Sequence, residues 1–406
     1  MVHWSSSSEG ERLRSSNDGN EEQKEQRKQT SMGPSIPITN DITAAWLSTV
    51  LRASGTLPHG EVTSLEQEPT GDFRGSHTHR LFVHYSSDAP AMAPSSLLLK
   101  RNRENAWSKG AGAEEVKCYS LFGSLPDHPS VTVPCYTAAY DEESGNSYLL
   151  LQDLTTTHIQ PRTRSQIIRL VDSVPPPVSL ERVVRALAQF HAYWWEHPLL
   201  ATPAFELSYW YRDAERFEYY LQRRIASWQS LIANEASWFP DDLRDLYAQI
   251  LAQLRLYWRE YLASRMQSRA NLTLIHGDAY FNNFLCPRNP ASEAPTYLID
   301  WQSPTCAIVG YDLANLLATF WTPEQRHDQQ REVSALRAYH TTLQANGVSS
   351  YTWDDLVLDY QHGLIYWLLV PVQDRFDGSS RDYWWPKMQC LAAAFRDWHC
   401  TDLLRL

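Results

Sequence analysis

From residue 58 to 152 the apolar positions come in short blocks bounded by turn residues, the pattern of strands. HRLFVHY (79–85), SSLLLK (95–100), SVTVPCYTAAY (130–140) and SYLLLQDL (147–154) each fit a strand, and GAEEVKCYSLF (112–122) fits one helix between the second and third. Upstream, ITAAWLSTVLR has helical spacing, with Asp41 as its expected cap. After the proline run at 175–177 the spacing becomes helical throughout. Ser179 is placed to cap LERVVRALAQFHAYWW, and Pro240 to open a helix whose first turn carries Asp241 and Asp242 at the positive dipole end. Further helices are expected at 311–321, 324–345, 353–370 and 383–400. The pattern therefore predicts an α+β chain with a strand-rich N-lobe over 41–153, a mostly helical C-lobe over 154–406 and a hinge near 152–160.

Composition changes this picture at one end. Residues 1–40 hold eight Ser and seven apolar residues, too few to offset the entropy of ordering them, so a disordered tail is expected there. The whole chain has 406 residues and 43% apolar content, enough for a large core. Its 36 Lys and Arg against 47 Asp and Glu give a net charge of −11, which disfavours nucleic acid and anionic membrane as partners. No apolar run reaches the ~18 residues of a membrane span, and MVHWSSSSEGERLR lacks the apolar core of a secretory signal. A cytoplasmic protein is expected. The six cysteines are scattered, with no metal-ligand or disulfide spacing.

One stretch of the helical half departs from helical spacing. Apolar LTLI runs into His276-Gly277-Asp278, then AYF, then Asn282-Asn283; a second apolar stretch, TYLI, ends in Asp300. Two short strands thus each deliver a carboxylate at their end, where loops can hold polar groups on a fixed scaffold. Asp278 and Asn283 are separated as the Asp and Asn of a kinase catalytic loop are, and Asp300 stands where the second metal-binding carboxylate of such a site would. Hard oxygen donors of this kind suit Mg²⁺. Taken singly each residue could be an ordinary turn residue; the joint spacing favours the catalytic reading.

HGDAYFNN, then LIDWQ, then GYDLANLL resembles the aminoglycoside phosphotransferase and choline kinase superfamily, which has the protein-kinase-like fold. The doubled Asn and the DWQ look most like its ecdysteroid-kinase-like branch. The resemblance covers about 41–400 and is strongest over 272–317. It implies an ATP- and Mg²⁺-dependent phosphotransferase acting on a hydroxyl of a small molecule, with Asp278 meeting the acceptor hydroxyl and Asn283 and Asp300 binding the metal. It further implies a strand lysine for the nucleotide phosphates, Lys100, held by a helix glutamate. Glu115 opens EVKCY, similar to the family's E-V-x-F-Y helix, with Glu114 as the adjacent candidate. Gly75 and Ser76 are expected to cover the phosphates, and the backbone at Gln152 and Leu154 to meet the adenine. His276 is expected to support the loop, and Asp312, in GYDLANLL, to cap the following helix.

Tyr209, Trp210, Tyr211, Tyr219, Tyr220, Trp367, Trp384 and Trp385, with acidic Asp213, Glu215 and Glu218 nearby, could wall an acceptor site for an amine-bearing or a flat apolar alcohol. Core packing is the simpler account of most of them. The resemblance leaves open aminoglycoside, choline and steroid acceptors. The alternative function is a catalytically inactive kinase-like protein binding a nucleotide or a partner. A metal-dependent hydrolase built on His276, Asp278 and Asp300 would need more histidines at ligand spacing.

Overall fold

The computed structural model describes residues 42–72, 75–202, 205, 211–235 and 237–405. The tail at 1–40, Asp41, Tyr209 and Trp210 lie outside them. The described chain forms two compact units: 42–120 with 135–152, and 121–134 with 153–405. The segment 121–134, which a lobe boundary at 153 would leave with the strands, clusters with the larger unit.

The smaller unit opens with α1 (Ala44–Ala53), capped by Thr43, whose hydroxyl accepts the Trp46 N–H at 3.1 Å. The strands β1 (Val62–Asp72), β2 (Ser76–Tyr85) and β3 (Ser96–Asn102) precede α2 (Ala106–Ser124), and β4 (Cys135–Tyr140) and β5 (Ser147–Gln152) follow it. They form one antiparallel sheet in the order β1-β2-β3-β5-β4. Side chains alternate across β3. Leu97 and Leu99 enter a core with Leu47, Val50, Leu51, Leu81, Val83 and Leu150, so Lys100 points from the opposite face. β1 is an edge strand exposed along most of its length.

The larger unit begins with the two-residue strand β6 (His158–Ile159) and the helices α3 (Pro177–Tyr193), α4 (Ala214–Glu235) and α5 (Asp241–Tyr257). α3 starts at Pro177, not after Ser179: a proline loses nothing at the first helical position. Pro240 is the N-cap of α5, one residue outside the helix that it was expected to open. Four short strands then carry the candidate chemistry: β7 (Thr273–Ile275), β8 (Phe284–Pro287), β9 (Tyr297–Leu298) and β10 (Thr305–Ala307). β10 pairs with β7, and β8 lies between β6 and β9. The helices of seven or more residues that follow are α6 (Gly310–Ala318), α7 (Arg331–Ala345), α8 (Trp353–Leu368), α9 (Val370–Phe376) and α10 (Arg381–Asp397). The single helix expected over 324–345 is broken where Gln329 and Gln330 take positive φ. α6 is buried along its whole length. Gly310 permits this, since a Cβ there would collide with the Asp359 carbonyl on α8. Among the described residues no helix is long and apolar enough to cross a membrane, and all six cysteines are free thiols.

Candidate active site

The residues singled out at 276–312 come together in the larger unit, and the short strands explain how. β7 delivers His276, Gly277 and Asp278, while β8 and β9 pair Phe284 with Leu298 and so bring Asn283 beside Ile299. The Ile299 N–H donates to the Asn283 carbonyl at 3.0 Å, leaving Asp300 at the same end of the pair. His276 joins the two halves. Its Nε2–H donates to the Ile299 carbonyl at 2.8 Å and its Nδ1 accepts the Asp278 N–H at 3.3 Å.

Asp278 and Asn283 are bonded directly. The Asn283 amide nitrogen donates to the Asp278 carbonyl at 2.7 Å and to its carboxylate Oδ2 at 3.2 Å. The Asn282 side chain donates to Asn283 Oδ1 at 2.7 Å, and Gln160 donates to the Asn282 carbonyl at 2.7 Å. The doubled asparagine thus orients Asn283, which is itself buried. Burial pushes the Asp278 carboxyl above its ordinary value, and the Asp300 charge adds to that. A carboxylate so raised is a better proton acceptor than one in water.

Asp300 takes φ +68, a conformation Asp tolerates better than most residues. Its two followers hold it there. Trp301 is fully buried, its ring 4.6 Å from that of His276 and 4.7 Å from that of Phe190, and Gln302 donates to Asp300 Oδ1 at 2.6 Å. Gly277, at φ +76, passes so close to the Ser303 carbonyl that any Cβ would overlap it.

Asp312 does not cap α6. It lies inside the first turn, the N-cap being Val309. Its carboxylate accepts the backbone N–H groups of His276 at 2.7 Å and Gly277 at 2.9 Å, and that of His191 Nε2 at 3.2 Å. His191 Nδ1 in turn accepts the Tyr339 hydroxyl proton at 2.7 Å. A buried carboxylate with three donors fixes the loop from below. Its place in a helix concealed this, because spacing along one helix says nothing about a loop 35 residues earlier.

The donor set suits Mg²⁺. Asn283 Oδ1 keeps a second lone pair beyond its bond to Asn282, and Asp300 offers carboxylate oxygens. Two hard donors are what Mg²⁺ takes from proteins when phosphates and water complete its octahedron. Among the described residues no group of three or more His, Cys, Asp or Glu could hold a metal ion by itself.

In the smaller unit, Lys100 Nζ is 2.7 Å from Glu115 Oε1, with side-chain exposures of 14% and 5%. Glu114 is exposed and pairs with Lys117, so Glu115 is the partner of the lysine. Lys100 stands opposite Thr78 in the β2–β3 register, two residues from Ser76. Gly75 and Ser76 lie at the start of β2, where the Gly75 carbonyl accepts the Arg103 N–H at 3.1 Å. Gln152 ends β5. The Leu154 carbonyl is engaged by the N–H groups of Thr157 and His158 at 3.1 and 2.8 Å.

Among the described residues, four of the aromatic side chains considered for an acceptor wall, Tyr211, Tyr220, Trp367 and Trp384, are in the core. Glu218 is held by Arg255 through bonds of 2.9 and 2.7 Å. Missed from the sequence was Lys387, buried on α10 and paired at 3.0 Å with Asp374 on α9.

Among curated proteins no sequence match is found. Solved structures give remote likenesses. The GDP complex of wild-type aminoglycoside 2'-phosphotransferase-IIIa is 14% identical, over 87% of this chain and 99% of that one, at a TM-score of 0.45. A Plasmodium vivax ethanolamine kinase is 14% identical, over 95% and 98%, at 0.46. An Alicyclobacillus acidocaldarius aminoglycoside phosphotransferase is 12% identical, over 84% and 91%, at 0.45. The sequence profile of the ecdysteroid kinase-like family matches residues 123–348, more than half of the chain and the whole of the site in the larger unit. The described residues form an α+β fold, and the chain belongs to the ecdysteroid kinase-like family.

Proposed function

We propose that the protein is an ATP- and Mg²⁺-dependent phosphotransferase whose acceptor is the hydroxyl of a small molecule. The observation that carries this is the bonded Asp278–Asn283 pair with Asp300 held at the same strand end. Asp278 orients the acceptor hydroxyl and takes its proton as the acceptor O–P bond to the γ-phosphorus forms and the bond from that phosphorus to the β-phosphate oxygen breaks, ADP leaving. Asn283 and Asp300 would hold Mg²⁺ through their side-chain oxygens, and the ion would supply positive charge against that developing on the transferred phosphoryl group. Lys100, steadied by Glu115, neutralises the α/β-phosphates; Gly75 and Ser76 offer backbone N–H groups to them. The adenine meets the backbone at Gln152 and Leu154. Positioning and charge stabilisation dominate phosphoryl transfer, so the metal ligands are at least as sensitive as the base.

The presence of both charged pairs, Lys100–Glu115 and Asp278 with Asp300, supports turnover over the inactive alternative. ADP release on adding an alcohol library tests it. Release is expected from the wild type and lost in Asp300→Ala and Asp278→Asn; an Asp300→Ala protein with near wild-type rate would overturn the assignment.

A further inference from the structure

Two residues after Asp278, the Tyr280 ring is 6.0 Å from Phe320 and 6.4 Å from Trp367. Phe320 is 5.7 Å from Tyr383. Asp278, Tyr280 and Tyr383 are half-buried, while Trp367 and Lys387 are buried beneath them. The Lys387 ammonium lies 5.1 Å from the centre of the Trp367 ring and 5.5 Å from that of Tyr383, and 3.0 Å from the Asp374 carboxylate. Both members of the ion pair are at most 1% exposed.

Aromatic faces beside a buried carboxylate are what a protein offers an ammonium ligand. Here both are already engaged by a cation of the chain itself. An ammonium-bearing acceptor would meet a like charge in a low dielectric, with Trp367, Tyr383 and Asp374 taken. Burial alone would lower the Lys387 amine, but Asp374 foremost, and Asp278 beyond it, more than offset this and keep it charged. Trp367 links the lysine to Tyr280, two residues after Asp278.

We propose that Lys387, clamped by Asp374 under Tyr280, Trp367 and Tyr383, is a specificity-determining residue that closes the acceptor site to ammonium-bearing alcohols and admits uncharged or anionic ones. The proposal rests on the phosphotransferase reading, which makes this the acceptor side.

Choline and its uncharged isostere, 3,3-dimethylbutan-1-ol, differ in charge at nearly constant shape. Calorimetric titration of the full chain with each, without nucleotide, tests the proposal. The wild type and Lys387→Arg are expected to bind the isostere about tenfold or more tightly than choline. Lys387→Met removes the cation from Trp367 and from Asp374, leaving only Arg164 over Tyr383, and reverses the order. The proposal is overturned if wild type shows a smaller preference or binds neither probe, or if folded Lys387→Met keeps the wild-type order. Should Lys387→Met not fold, the wild-type and Lys387→Arg arms decide by the same criterion. Because no turnover is read, failure here leaves the phosphotransferase reading standing, and loss of ADP release would leave the charge preference standing.

Discussion

The Asp312 carboxylate accepts the Gly277 N–H at 2.9 Å, one residue ahead of Asp278. A group on a buried helix thereby sets the height of the loop that presents the candidate base. Asp312→Asn keeps the shape but turns an NH₂ toward a backbone donor. Leaving a buried donor unmet costs about 1–3 kcal/mol, and at ~2–4 °C per kcal/mol the melting temperature should fall by several degrees. Turnover should fall by more than the stability loss explains. Melting curves and kcat for the folded variant check this; an unchanged kcat would show that the loop holds itself.

Gln302 donates to Asp300 Oδ1 at 2.6 Å and fixes the carboxylate while that residue sits at positive φ. Groups that orient metal ligands are worth about 10–100-fold in metal affinity. Gln302→Ala should therefore raise the Mg²⁺ concentration for half-maximal activity by at least about tenfold, at the low end of that range. A Mg²⁺ titration of activity decides, and an unchanged midpoint counts against the role.

Lys100 and Glu115 are 2.7 Å apart and mostly shielded from water. Glu115→Ala removes the carboxylate that steadies the lysine. The KM for ATP should rise about tenfold or more, with the KM for the acceptor unchanged. An equal rise in both would point to general loosening.

The grouping of His276, Asp278, Asn283 and Asp300 was legible because it is local: HGDAYFNN and LIDWQ carry their spacing within one stretch of chain. Lys100 and Glu115 were legible only through the family resemblance and the order of strand and helix that it implies. What escaped is non-local or masked by competing signals. Asp312 acts across 35 residues, and Lys387 and Asp374 occupy separate helices with no motif between them. Ser179 and Asp41 look like caps by residue type, yet Pro177 and Thr43 sit at the observed helix starts. A cap is decided by where the first turn can pack, which the apolar spacing fixes only to within a turn.

His362 is buried with Nδ1 accepting the Tyr257 hydroxyl at 2.6 Å. Burial, with the Arg265 charge, lowers its pKa from 6.5 to about 3. The unfolded chain takes up a proton there at a higher pH than the folded one. Stability is therefore complete above the ordinary histidine pKa and declines as pH falls through 6.5 toward 3, by up to about 1.4 kcal/mol per unit. His362→Gln should flatten the decline between pH 6 and 4 in denaturant unfolding. An unchanged slope would place the acid sensitivity elsewhere.

The most direct test of the central claim is thermal unfolding of wild type and Asp300→Ala with and without MgATP. At about 100 times its Kd a ligand adds ~2.7 kcal/mol, which for a chain of this size is a rise of roughly 5–10 °C. The account predicts that rise in the wild type, its dependence on Mg²⁺, and its loss in Asp300→Ala. A folded wild type with no rise, or an equal rise in the variant, would contradict it.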